Sequence, residues 1–145
     1  MSIQALISGM PSPVDSLWLR SLPASVAAGF PSPADDHMAT RVDLMAQLTR
    51  HPEATFMLRV QGESMRDMGI FNGDVLVVDR AISPRSGHVV VAVLDGEFVC
   101  KTLTIKAGRT WLQAANRQYP DIEPRSGQTL EIWGVVVASV KQFPA

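Results

Sequence analysis

The chain has 145 residues, the size of one ordinary domain, and 46% of them are hydrophobic, enough to bury a core. A net charge of −1 gives no bulk attraction to nucleic acid or a membrane surface, and one cysteine excludes an internal disulfide framework and suits a reducing cytosol. No basic-then-apolar leader opens the sequence, and no apolar run is long enough to span a membrane.

In chain order, residues 1 to about 40 come first. They carry Pro11, Pro13, Pro23, Pro31 and Pro33, half of the ten prolines, and no clear hydrophobic period. Proline fixes φ and removes a donor, so this region is expected to be an extended arm with local order at most. Its apolar cluster, Leu17, Trp18, Leu19 and Leu22, is expected to dock rather than face water, as a helical turn capped by Asp15 or Ser16 or as an adhesive loop. The stretch VAAGFPSP, residues 26–33, suits neither a helix nor a central strand.

A short helix is predicted over 41–50, RVDLMAQLTR. Val42, Met45 and Leu48 recur at spacings of three, and Pro52 stops the run. From 55 onward the pattern changes to six runs rich in β-branched and aromatic residues: TFMLRV, DVLVVDR, HVVVAVL, EFVCKTLTI, TWLQAA and LEIWGVVVASV. Turn chemistry separates them. Asn72-Gly73 and Asp95-Gly96 suit positive φ at both central positions, Lys106-Ala107-Gly108 suits a three-residue hairpin, and residues 83–87 read as a loop. The fold class is therefore mostly β: a compact domain of bent antiparallel sheets with one short helix, preceded by an extended arm.

The chemistry-bearing candidates lie inside this β region. Gly62 allows a sharp bend before Ser64, so neighbouring N–H groups can converge near an exposed hydroxyl, as acyl transfer requires; a serine that simply favours a turn is the alternative. A nucleophilic serine needs a base. His37, His51 and His88 have no spacing that pairs one with Ser64 and an acid, and read as surface or capping residues with no metal site. Lys101 alternates onto the strand face of Val99 and Leu103. If that face is buried, desolvation disfavours the ammonium and prepares a general base; otherwise the lysine protects an edge or snorkels into solvent. Cys100 has apolar neighbours and reads as an inert core thiol. Asp35, Asp36, Asp74 and Asp79 show no marked pairing, and Met65, Met68, Ile70 and Phe71 read as core or groove lining.

The segments GFPSPADDH, RVDLMAQLTRHPEAT, VQGESMRDMGIFNGDVLVVDR, GHVVVAVLDGEFVCKTL and LEIWGVVVASVK occur in that order. Over roughly residues 28–142 the sequence resembles the UmuD branch of the LexA/UmuD self-cleaving serine peptidases. The most specific matches are Gly-Glu-Ser-Met around Ser64 and DGEF followed by Lys101. The resemblance implies that Ser64 is the nucleophile, Lys101 the general base, and Ala28-Gly29 the scissile bond. It implies backbone oxyanion donors at Glu63 and Ser64.

Residues 1–28 would then be an arm removed by self-cleavage, and residues 29–145 the peptidase domain. The arm is too short and too proline-rich for the helix-turn-helix domain of LexA-type repressors, so no sequence-specific DNA binding is expected. The resemblance further implies a cytoplasmic homodimer and no cofactor. Cleavage would be assisted by a RecA–single-stranded DNA filament. The product would join the catalytic subunit of an error-prone translesion polymerase in the SOS response. Two alternatives remain at this level: a polymerase-binding regulatory module with a dormant Ser/Lys pair, and a peptidase acting on unrelated proteins.

Overall fold

The computed structural model describes residues 2–5, 18–22 and 40–145. Its strands are β1 (Ser2–Ala5), β2 (Trp18–Ser21), β3 (Thr40–Asp43), β4 (Thr55–Gln61), β5 (Val75–Asp79), β6 (Val89–Leu94), β7 (Glu97–Lys106), β8 (Arg109–Gln113) and β9 (Leu130–Val140). Helix α1 is Leu44–Leu48, and single 3₁₀ turns occupy Pro52–Ala54 and Arg66–Met68. All six predicted β runs are strands, and their pairings are antiparallel.

The main sheet has the order β1-β4-β5-β9-β6-β7-β8. It nearly closes on itself. β1 pairs with β4 over Ser2–Ala5 and also meets β7 at Ser2↔Val99, so it lies between the two strands that lead to Ser64 and Lys101. A closing sheet removes open edges and leaves two apolar surfaces to cover. Leu58, Val60, Met65, Ile70, Leu76, Val78, Val91 and Cys100 form one core cluster, and Val90, Ala92, Leu103, Leu112 and Val135 form the other. The alternation expected along β7 holds: Phe98 and Cys100 pack into the first cluster, Val99 and Leu103 into the second.

Strand β9 also serves both clusters, and a bulge resets which of its residues face each one. Its register against β6 shifts between Val91 and Ala92, where Gly134 and Ile132 are the respective partners. The extra residue, Trp133, turns into the first cluster, and Val136 joins it three positions later instead of two. Phe56 and Phe98 meet the Trp133 ring edge-on at 5.1 and 5.5 Å, and Arg80 covers it at 4.6 Å. Gly134 itself faces β5 so closely that a Cβ would lie 2.6 Å from Val78 Cγ1.

Three local expectations are corrected. The 41–50 helix is shorter, because Thr40–Asp43 pairs with Trp18–Ser21 as a two-stranded ribbon and the helix begins only where Asp43 Oδ1 accepts from the Met45 N–H at 3.1 Å. The Trp18–Leu22 part of the expected docking cluster is not buried. It satisfies its backbone in that ribbon, with Trp18, Leu19 and Leu22 exposed and Arg41 stacked 5.3 Å from the Trp18 ring; Leu17 lies outside the described residues. The β7–β8 hairpin has a two-residue loop rather than three, since Lys106 pairs with Arg109 while Ala107 and Gly108 both take positive φ, 52° and 78°.

Asp95-Gly96 behaves as predicted, with φ of 49° and 82°. In the Asn72-Gly73 turn only Gly73 takes positive φ, and the Asn72 side chain does something else: its Oδ1 accepts from the Gly62 N–H at 2.9 Å.

Candidate active site

The site begins where β4 ends. Gly62 turns the chain at φ 97°, a conformation that side chains rarely adopt, and Asn72 holds that turn. The turn delivers Ser64 into the interior, where it is completely buried. Met65, equally buried, pins the next residue to the first core cluster, and its carbonyl accepts from the N–H groups of Met68 and Ile70. A second tie comes from Asp74. Its Oδ2 accepts from the Phe71 N–H at 2.8 Å, and Lys141 neutralises the carboxylate at 2.6 Å.

Lys101 arrives from the middle of β7, paired with Val90 on one side. It is 3% exposed, so the buried alternative for its strand face is the one realised. Its Nζ lies 2.7 Å from Ser64 Oγ, donating a hydrogen bond to the hydroxyl oxygen. Among the described residues no carboxylate forms an ion pair with it. Burial therefore drives its pKa below the ordinary lysine range. The neighbouring Cys100 moves the other way for the same reason: burial pushes the thiol up to about 12, which leaves it protonated and inert.

The remaining candidates separate from this pair. His51 Nδ1 lies 2.7 Å from Asp79 Oδ2, and His88 Nδ1 accepts from the Arg85 N–H at 3.1 Å. His88 thus fits the capping expectation, whereas the Asp79–His51 pairing carried no signal in its 28-residue separation. Met65 and Ile70 are core, while Met68 and Phe71 are exposed. Ala28, Gly29, Asp35, Asp36 and His37 lie outside the described residues.

A residue that the sequence did not single out completes the turn. Asn116, 7% exposed, donates from Nδ2 to the Glu63 carbonyl at 2.9 Å. A polar side chain in a loop of mixed composition gives no sign in a single sequence that it is buried.

Comparison with known proteins gives the family. The Peptidase S24-like family matches residues 21–137. The chain belongs to this family, in its UmuD-like branch of the LexA/UmuD serine peptidases. Protein SamA of Salmonella typhimurium strain LT2 is 45% identical over 113 residues, covering 78% of each chain. Protein MucA of Escherichia coli is 42% identical over 121 residues, covering 82% of each. A LexA repressor of Shewanella woodyi is 37% identical over 117 residues, which is 80% of this chain and 57% of the repressor. Family membership carries an SOS-related role of the LexA/UmuD type. No helix among the described residues is long and apolar enough to cross a membrane.

Proposed function

We propose that this S24 protein cleaves its own Ala28-Gly29 bond with Ser64 as nucleophile and Lys101 as general base. The observation that carries the reading is the 2.7 Å contact between a buried hydroxyl and a buried amine that has no carboxylate partner among the described residues. An ammonium in that position can only donate. Once neutral, the same nitrogen offers a lone pair, and the hydroxyl can give it the proton.

The steps follow from that exchange. Ser64 Oγ passes its proton to Lys101 and bonds to the Ala28 carbonyl carbon. The oxyanion is held by the N–H groups of Glu63 and Ser64. The bond to Gly29 nitrogen then breaks, and Lys101 returns the proton to the departing amine. Water, activated by the same lysine, hydrolyses the ester and leaves residues 1–28 with a new carboxylate. Because the substrate belongs to the same chain or its dimer partner, positioning can contribute roughly 7–11 kcal/mol at best.

Relatives of this type suggest the setting. A RecA–single-stranded DNA filament favours the cleavable arrangement, which it can do only by binding that arrangement better. The shortened homodimer then serves as accessory subunit of an error-prone translesion polymerase in the cytoplasm.

Incubating the purified chain across neutral to alkaline pH tests the chemistry. The lowered pKa of Lys101 sets the sign: its neutral fraction grows with pH, so cleavage accelerates with pH and levels off below the ordinary lysine range. Mass spectrometry should find a fragment beginning at Gly29. Wild-type protein that stays intact at every pH, with and without the filament, would instead favour the regulatory module with a dormant pair.

A further inference from the structure

The loop that follows β8 leans on the turn that carries Ser64. The pairing of Leu112 with Ile122 closes this loop at its base. Two hydrogen bonds then tie its tip to the turn. The Asp67 N–H donates to the Ala115 carbonyl at 2.8 Å, and Asn116 Nδ2 donates to the Glu63 carbonyl at 2.9 Å.

The orientation of the Asn116 amide is forced by its surroundings. Its Oδ1 accepts from the Gln118 N–H at 3.0 Å, so the oxygen must face that donor and the nitrogen must face the Glu63 carbonyl. A flipped amide would set donor against donor and acceptor against acceptor in a site 7% exposed.

The Glu63 carbonyl belongs to the same planar unit as the Ser64 N–H. That peptide is trans, so the two groups point in opposite directions. The carbonyl is held twice, by Asn116 Nδ2 and by the Arg66 N–H at 3.2 Å. Fixing the carbonyl fixes the N–H. Among the described residues no acceptor is found for the Ser64 N–H. The donor is thus aimed away from the loop and left available beside the hydroxyl that Lys101 contacts.

We infer that Asn116 is a positioning residue: by holding the Glu63 carbonyl it locks the Glu63–Ser64 peptide plane so that the Ser64 N–H is presented to the developing oxyanion. The inference rests on the Ser/Lys peptidase reading for its chemistry, and on the Asn116 contacts alone for its geometry. A side chain that only shaped its own loop would matter through Gln118, the other partner of the same amide, and one that only tied the loop to the turn would leave the Ser64 N–H direction unchanged when lost.

Asn116→Asp separates the two roles. It keeps the size of the side chain and an oxygen for the Gln118 N–H, and exchanges the donor to Glu63 for a second carboxylate oxygen, which makes that contact repulsive and adds a charge. Asn116→Ala removes both contacts. Self-cleavage rates are compared on the alkaline plateau, where Lys101 is neutral in every variant and its protonation does not enter. In parallel, residual dipolar couplings give the direction of the Ser64 N–H bond relative to the amides of β4, in a Lys101→Ala background that keeps the chain intact.

The expected result is a plateau rate about 10- to 100-fold lower for Asn116→Asp, somewhat less than the loss of a whole oxyanion donor, together with a rotated Ser64 N–H. Wild-type cleavage by Asn116→Asp, or an unmoved N–H direction in it, overturns the assignment. If the wild-type chain itself does not cleave, the peptidase reading fails, and the N–H direction alone decides whether Asn116 sets the peptide plane. Should the aspartate variant not fold, the same two measurements on Asn116→Ala decide, with the N–H direction as the criterion.

Discussion

Strand β4 has a buried polar group tied to a partner at each end, and the two arrangements are built differently. At its first residue, Thr55 faces Asp79, which is fully buried and fully satisfied: Oδ2 meets His51 Nδ1 at 2.7 Å and Oδ1 accepts from the Ala81 N–H at 2.7 Å. Just past its last residue, Ser64 meets Lys101, an amine with a neutral hydroxyl as its partner. A buried carboxylate whose two oxygens both accept hydrogen bonds leaves no polar atom without a partner. A buried amine facing a hydroxyl gains little from its charge and is disposed to lose it. One end therefore holds the fold, and the other holds the pair proposed to react, at some cost to the fold.

The largest effects should come from the reactive end and should be kinetic. Lys101→Ala and Ser64→Ala should each lower self-cleavage by at least about 10⁴-fold, the scale on which losing a nucleophile or its base acts, with circular dichroism unchanged. Wild-type processing by either variant would mean that a different pair does the chemistry. The cost to the fold has its own test. In a Ser64→Ala background, Lys101→Met should gain stability relative to Lys101 at neutral pH, and the gain should shrink as pH rises. The sign follows from linkage. The unfolded lysine keeps its proton up to the ordinary range, while the folded one gives it up earlier, so the penalty is complete below the folded pKa and vanishes above the unfolded one. A stability difference independent of pH in urea titrations would show that burial does not disfavour the charge.

At the holding end the effect should be thermodynamic. Asp79→Ala removes two charge-assisted hydrogen bonds, leaves the Ala81 N–H unpaired, and should cost about 2–4 kcal/mol. The exposed side of His51 limits the loss, since the ring can turn to water. Urea midpoints with unchanged m-values measure it. A loss below about 0.5 kcal/mol, the usual scale of a surface change, would put Asp79 among ordinary surface carboxylates.

Most of this architecture was legible in residue patterns. The strands showed as β-branched runs, and Gly62 and Asp95-Gly96 announced their turns because positive φ selects residue types. The faces of β7 followed from alternation, which correctly put Lys101 with Val99 and Leu103. What stayed hidden depends on contacts distant in sequence. Asp79–His51 spans 28 residues and Asn116–Glu63 spans 53, and neither leaves a local mark. The helix is shorter than the periodicity of 41–50 suggests because pairing of Thr40–Asp43 with Trp18–Ser21 competes for the same residues. The two-residue form of the β7–β8 loop is hidden because Ala107 takes the positive φ that glycine or asparagine normally supplies.

The smallest effect should come from the ion pair with the best-looking geometry. On the far side of β7, Arg109 reaches Glu123 through three hydrogen bonds of 2.8 to 3.2 Å, and holds the Glu123 carboxyl below its ordinary pKa. Yet the two side chains are 66% and 53% exposed. Water and salt screen the attraction, and ordering two long side chains offsets much of what is left. Asp79 has only two bonds, but water cannot replace them. Arg109→Ala should therefore leave the urea midpoint where it is within error, at low salt and at high salt alike. A loss as large as that of Asp79→Ala, and one that disappeared on adding salt, would show that an exposed pair holds this fold as firmly as a buried one, and burial would no longer explain the contrast between the two ends of β4.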